Sequence, residues 1–208
     1  MKVLVIGATG PTGRELVKQG LALGHRITAA VRRPESAALP ADTQIVRGDV
    51  TDRISLRAAV AGQDAILCSL GSKLSRQPTT LLSAGTRNLL AAMEENGVRR
   101  ILCITGLGAG DSRGHGGFFY DRIFQPLLLK EIYLDKDRQE AILRASASDW
   151  TLVRPGVLTN GPMTGKYRAL TDMAGEKLGR ISRADVAGFL LRSLAEPETI
   201  RQIYNLTY

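Results

Sequence analysis

The clearest chemistry lies near the start of the chain. Gly7-Ala8-Thr9-Gly10-Pro11-Thr12-Gly13 is a G-x-x-G-x-x-G turn between the apolar run 1–6 and a helix-patterned stretch. In such a turn the first glycine lets the chain bend sharply off a strand. The second removes the Cβ that would hold the backbone away from a pyrophosphate, and the third lets the helix lie close to the sheet. The helix start then offers free N–H groups and a partial positive charge to phosphates. Gly7, Thr9, Gly10, Pro11, Thr12 and Gly13 are therefore candidate dinucleotide-binding residues, with Thr12 as a hydroxyl donor.

The second strand reads which dinucleotide. NAD-specific sites place an acid about twenty residues past the glycines, where it accepts from the ribose 2′-hydroxyl. This chain has Arg32 and Arg33 after Val31. Guanidinium groups bind a 2′-phosphate through charge-assisted, often bidentate bonds, so NADP(H) is expected over NAD(H). Asp49, with Val50 beside it, is placed to accept from an adenine amino group, a turn-making aspartate being the alternative. Ser69, Leu70 and Gly71 follow the fourth strand pattern and are expected along the adenosine side.

These residues need a frame, and the rest of the sequence alternates strand and helix patterns. Strands are expected over 1–6, 26–31, 44–46, 64–69, 100–105, 150–153 and 202–205. Helices are expected over 13–24, 79–96, a segment ending near 146, and 182–194. Leu82, Leu89, Leu90 and Met93 line one face of the second helix, which stops at Asn96-Gly97. The pattern predicts an α/β fold: a single doubly wound parallel sheet of Rossmann type, order 3-2-1-4-5-6, with a short extra C-terminal strand. One domain spanning 1–208 is expected, with 106–134 and 156–180 on the acceptor side. Half of residues 106–117 are glycine, which predicts a mobile loop. Pro126 should break the apolar run 118–129 into two helical pieces.

Composition narrows the functional classes. The chain has 208 residues and a net charge of +8, which suits anionic cofactors and substrates. It has no Lys/Arg-rich block, and aromatic residues make up only 5% of it, which argues against nucleic-acid binding. Cys68 and Cys103 sit in apolar runs and read as buried free thiols. No apolar run reaches the length of a membrane span, and the first residues go straight into a strand pattern. A soluble cytoplasmic protein is expected, a monomer or homodimer. His25 and His115 have no partner at metal-ligand spacing, so no metal is assigned.

Residues 7–13 (GATGPTG), 31–34 (VRRP), 48–50 (GDV), 68–72 (CSLGS), 78–98 (PTTLLSAGTRNLLAAMEENGV), 143–158 (LRASASDWTLVRPGVL) and 181–194 (ISRADVAGFLLRSL) together resemble the atypical short-chain dehydrogenase/reductases. The likeness is to their NmrA-like, NAD(P)H-binding branch and above all to the biliverdin-IXβ reductase or flavin reductase group. The resemblance implies a doubly wound fold and, in many members, NADPH. It departs from the larger family at the Tyr-x-x-x-Lys pair that passes a proton: Tyr133 and Lys136 are three apart, and Tyr120 has Phe124 at the fourth position. Flavin-reductase relatives place a serine just after the fifth strand, near the nicotinamide. Here that place falls to Gly106, after Thr105, which argues against biliverdin itself as acceptor.

Thr105 and Lys136 remain as catalytic candidates, with Gly106, Pro155, Gly156 and Val157 beside the nicotinamide. Thr105 would orient the carboxamide or a water, unless it is a strand cap. Lys136 would contact ribose hydroxyls or polarise the acceptor; the competing reading is a solvated helix face over 135–138 with an i,i+4 pair to Glu140. Arg154 reads as structural.

The expected function is an NADPH-dependent reductase that transfers hydride to a flavin, quinone or tetrapyrrole-like acceptor. Such a small aromatic partner takes hydride without an obligatory side-chain acid. The alternatives are an NADP(H)-binding redox sensor without turnover and a sugar-nucleotide epimerase or dehydratase.

Overall fold

The apolar run at the start of the chain forms β1 (Lys2–Ile6), whose side chains alternate between two cores: Val3 and Val5 face one, Leu4 and Ile6 the other. A strand covered on both faces reads as a continuous apolar run, as this one does. The computed structural model describes residues 1–72, 77–118, 120–177 and 179–208. Residues 119 and 178, both within the stretches expected on the acceptor side, lie outside the described residues. So do the side chains of Tyr120, Phe124, Gln125 and Pro126.

From β1 the chain runs through α1 (Pro11–Ala22), β2 (Arg26–Val31), β3 (Gln44–Arg47), α2 (Arg53–Val60), β4 (Ala65–Cys68), α3 (Leu81–Glu95) and β5 (Arg100–Ile104). It continues through α4 (Lys130–Ala145), β6 (Asp149–Pro155), β7 (Val157–Thr159), β8 (Arg168–Leu170), β9 (Arg180–Ser182), α5 (Arg183–Ser193) and β10 (Gln202–Thr207). The main sheet has the order β3-β2-β1-β4-β5-β6-β10-β8, and β7 pairs with β9 in a small second sheet. The 3-2-1-4-5-6 order is the expected one, and it is parallel throughout. Beyond it lie two strands, β10 parallel to β6 and β8 antiparallel to β10.

Helices α1 and α5 pack together on one face of the sheet, around Leu16, Val17, Val186, Leu190 and Leu191. Helices α2, α3 and α4 cover the other, around Leu56, Leu89, Met93 and Leu143. Cys68 and Cys103 are buried free thiols in register on neighbouring strands. Among the described residues no helix is long and apolar enough to cross a membrane.

The structure corrects two local expectations. Residues 106–112 do not form a free loop. Leu107, Ala109 and Ser112 are buried, the Leu107 amide donates to the Pro155 carbonyl at 3.0 Å, and the Gly108 amide donates to Ser112 Oγ at 2.9 Å. The glycines serve tight packing here: a Cβ on Gly110, which has φ +54°, would come within 2.3 Å of the Arg154 guanidinium. Nor does Pro126 separate two helical pieces. The backbone over Tyr120–Leu129 winds as one π-helical stretch into α4, so the disturbance from a residue lacking an N–H is spread over wider turns.

Candidate functional site

The reversal of strand order between β1 and β4 opens a crevice at their C-terminal ends, where α/β folds of this kind bind ligands. The turn after β1 forms its floor. Gly7 has φ +78°, and a Cβ there would lie 2.6 Å from the Ser69 carbonyl oxygen; a Cβ on Gly13 would lie 2.1 Å from the Gly7 carbonyl oxygen. These two glycines are therefore required by the protein's own packing. Gly10 differs, because its Cβ would meet only the Gly7 carbonyl oxygen, at 3.2 Å.

Gly10 is also the N-cap of α1, Pro11 is its first residue, and no side chain caps the helix. The amides of Thr12 and Gly13 thus begin the helix without an intrahelical or capping acceptor, and no acid sits in the first turn. That arrangement fits a pyrophosphate. Ser69 braces the turn from the β4 side, its hydroxyl donating to the Ile6 carbonyl at 2.9 Å, so it supports the loop with a group the sequence alone assigned to the ligand. Thr9 is exposed, and Leu70 packs against the α3-side core.

Arg32 and Arg33 emerge exposed at the C-terminal end of β2, next to β1 in the sheet, and Arg32 lies near enough to Asp49 to help lower the pKa of its carboxyl. Arg14, not singled out in the sequence, ties this region together: it donates to the Thr9 carbonyl at 3.1 Å and to the Ala38 carbonyl at 2.6 Å. Asp49 Oδ1 accepts from the Thr51 amide at 2.9 Å and the Thr51 hydroxyl at 2.8 Å, so the turn-making alternative describes this oxygen. The Thr51 amide holds the Asp49 carboxyl below its ordinary range. Gly71 is open, with no atom near a built Cβ, and Val50 is buried.

At the ends of β5 and β6 lies a cavity of about 270 Å³. The β5–β6 pairing carries past the strands, with the Thr105 amide donating to the Val153 carbonyl at 2.8 Å. Thr105, Gly106 and Leu107 thus form one wall, and Pro155, Gly156, Val157 and Leu158 another. Helix α4 supplies Tyr133 and Lys136, and the start of α5 supplies Arg183. The expected nicotinamide-side residues therefore meet in one place.

Within that cavity the roles differ from those expected. The Thr105 hydroxyl turns away to Glu140, donating to Oε1 at 2.6 Å. The backbone carbonyl of Thr105 instead accepts from Lys136 Nζ at 2.5 Å. Burial lowers the Lys136 pKa to about 8. Its ammonium lies 4.8 Å from the centre of the Tyr133 ring. A Cβ on Gly106 would stand 2.7 Å from that ammonium and 3.3 Å from the Tyr133 hydroxyl, so a glycine at this position leaves room for both groups.

The reading of 135–138 as a solvated face fails at Asp135, although Arg138 is exposed. Asp135 is fully buried and accepts from the Leu82 amide at 2.8 Å and the Ser83 hydroxyl at 2.5 Å. It thereby caps α3, whose own Thr80 makes no side-chain cap. Asp137 accepts from the Gly110 amide at 2.9 Å and from Arg113 at 2.6 Å. Glu140, expected to pair with Lys136, is buried against Arg154, with Nε–Oε1 3.0 Å and Nη2–Oε2 2.6 Å. Arg154 also pairs with Asp111. Tyr133 went unrecognised because its spacing to Lys136 is three, yet residues three apart share a helix face, and that rule was the available signal.

Comparison with known proteins agrees with this architecture. An uncharacterised chloroplastic protein of Arabidopsis thaliana is 32% identical over 212 residues, covering 95% of this chain and 73% of its own length. The uncharacterised sugar epimerase YhfK of Bacillus subtilis is 32% identical over 214 residues, covering 100% of this chain and 94% of its own length. Among solved structures, ChuY from Escherichia coli O157:H7, described as an anaerobillin reductase, superposes with a TM-score of 0.84 at 25% identity. That match covers 100% of this chain and 97% of ChuY. The model of the NAD(P)H-binding family matches residues 7–197. With the glycine turn, the reversed strand order and a match over nearly its whole length, the chain belongs to the NAD(P)H-binding family of Rossmann-fold proteins.

Proposed function

We propose that this protein is an NADPH-dependent reductase whose acceptor is a conjugated ring such as a flavin, a quinone or a tetrapyrrole. The observation that carries the reading is the cavity at the ends of β5 and β6, where Tyr133 and Lys136 stand against the wall formed by Thr105 and Gly106. Bound NADPH would supply hydride there and be oxidised to NADP⁺, while the acceptor gains that hydride and one proton. Lys136, with a pKa of about 8, exchanges protons near neutrality. It and Tyr133 are assigned to hold or hand over that proton.

The Thr12 and Gly13 amides, with Gly10 between helix and strand, are assigned to the pyrophosphate. Arg32 and Arg33 are assigned to a 2′-phosphate, which favours NADPH over NADH. Segments 106–134 and 156–180 supply Gly106, Leu107, Tyr133 and Val157 to the acceptor side. The reductase description of ChuY supports the same class of reaction.

Mixing purified protein with NADPH and a panel of flavins and quinones, and following loss of the nicotinamide absorbance, tests the proposal. Turnover with at least one ring acceptor is expected. Tight NADPH binding with no turnover on any acceptor would favour the redox-sensor reading.

A second reading, a sugar-nucleotide epimerase, draws on the Tyr133–Lys136 contact, a proton-transfer pair by position, and on the description of YhfK. Such an enzyme regenerates its cofactor in each cycle. Net consumption of NADPH separates the two.

A further inference from the structure

The cavity wall includes two cations, Lys136 and Arg183, and no carboxylate. Arg183 is held by neutral groups alone: Nη1 donates to the Asn160 side-chain oxygen at 2.7 Å and to the Leu158 carbonyl at 3.3 Å. Its Nε and Nη2 have no protein partner among the described residues, and it forms no ion pair. A guanidinium presents five N–H donors in a planar fork, so most of that fork remains unused.

Two other arginines near the site are neutralised by acids. Arg154 faces Glu140 and Asp111, and Arg113 pairs with Asp137. Arg100, away from the cavity, spends both Nη atoms on four protein acceptors. The acid nearest Arg183 in sequence, Asp185, is already filled by Thr164, Gly165, Ser182 and Tyr208.

The position of Arg183 is fixed by its frame. Strands β7 and β9 pair in parallel, with Thr159 opposite Ser182, and Ser182 accepts from the Asp185 amide to cap α5. Arg183 is the first residue of that helix. A half-buried cation with an unfilled fork, fixed on a cavity wall that carries no acid, is arranged for an anion supplied from outside.

We infer that Arg183 is the specificity residue for the acceptor, and that the acceptor is a conjugated ring bearing an anionic arm, a carboxylate or a phosphate. The ring lies against Leu107, Val157 and Leu158, and the arm reaches the guanidinium. The inference rests on reading this cavity as the acceptor side.

The test compares ligands that differ only in the arm, on protein loaded with NADP⁺. Binding of riboflavin and of riboflavin phosphate is measured by flavin fluorescence, with a naphthoquinone and its sulfonated analogue as a second pair. The wild type should prefer the anionic member by about tenfold or more at low salt. In Arg183→Met the preference should fall to within about twofold while affinity for the neutral member holds, and Arg183→Lys should keep part of it. A residue that merely latches Leu158 and Asn160 would weaken both members alike. Equal binding of both members in both pairs, binding of neither, or an unchanged preference in Arg183→Met and Arg183→Lys overturns the inference. Anion preference without any turnover keeps the anion site and removes the reductase reading; turnover with no discrimination does the reverse.

Discussion

Glu140 and Arg154 meet in a two-point contact with both side chains almost fully buried, 4% and 1% exposed. The same carboxylate accepts the Thr105 hydroxyl, and the same guanidinium reaches Asp111 in the loop after β5. One buried pair therefore fixes the end of β5, the end of β6 and the start of the loop that walls the cavity. Removing Glu140 leaves the buried guanidinium with the exposed Asp111 as its acid partner, and breaking a buried pair in this way costs about 3–5 kcal/mol. Glu140→Gln should lose stability of that order in urea unfolding, and a Glu140→Leu, Arg154→Met double variant should lose less. A cost below about 1 kcal/mol for Glu140→Gln would show that the pair does not organise this region.

Lys136 makes the site sensitive to pH. Burial lowers its pKa from 10.5 to about 8, so the folded protein releases this proton first as pH rises. Between those values the unfolded chain binds the extra proton, and native stability rises with pH relative to Lys136→Met. Activity moves the other way: kcat/KM should fall as the ammonium is lost through about pH 8. That limb should vanish in Lys136→Met and shift upward in Lys136→Arg. A pH–rate profile with the same alkaline limb in wild type and Lys136→Met would contradict the assignment.

The glycines of the first turn should separate folding from binding. Gly13→Ala places a Cβ 2.1 Å from a backbone oxygen, and strain of that kind costs about 1–3 kcal/mol or more. Gly10→Ala meets only one backbone oxygen, at 3.2 Å. It should keep nearly the wild-type Tm and lose NADPH affinity at least tenfold. Calorimetry and thermal melts on both variants check this; unchanged NADPH binding by Gly10→Ala would move the pyrophosphate elsewhere.

Arg32→Ala with Arg33→Ala should weaken NADPH by about tenfold to a hundredfold, the range of roughly 1.5–3 kcal/mol for a bond to a charged group. NADH should change little. Equal loss of both cofactors would show that these arginines do not read the 2′-phosphate.

The fold was legible because its signals are local and repeated: buried strands such as Ala65–Cys68 are continuous apolar runs, and the glycine turn marks where the first ends. Helix α2 was missed although Asp52 caps it, accepting from the Ile54 amide at 3.0 Å. Strands β7, β8 and β9 have three residues each, too short for a period to show. The phosphate turn was readable for the same reason as the fold. The cavity was not, because its chemistry is set by partners distant in sequence. Asp135 is buried by Leu82 and Ser83, and Glu140 by Arg154, so a stretch dense in charge looked solvated. Arg183 sat unremarked within a helix pattern, since an unfilled guanidinium is recognisable only from what surrounds it.

Single turnover with NADPH carrying deuterium at C4, mixed with the best acceptor of the panel, tests the central claim most directly. The reductase reading predicts slower oxidation of the labelled cofactor than of the unlabelled one, with deuterium in the reduced acceptor whenever hydride enters at carbon. Saturated binding of NADPH with no oxidation by any ring acceptor, or oxidation at one rate for both isotopes with no label transferred, would contradict it.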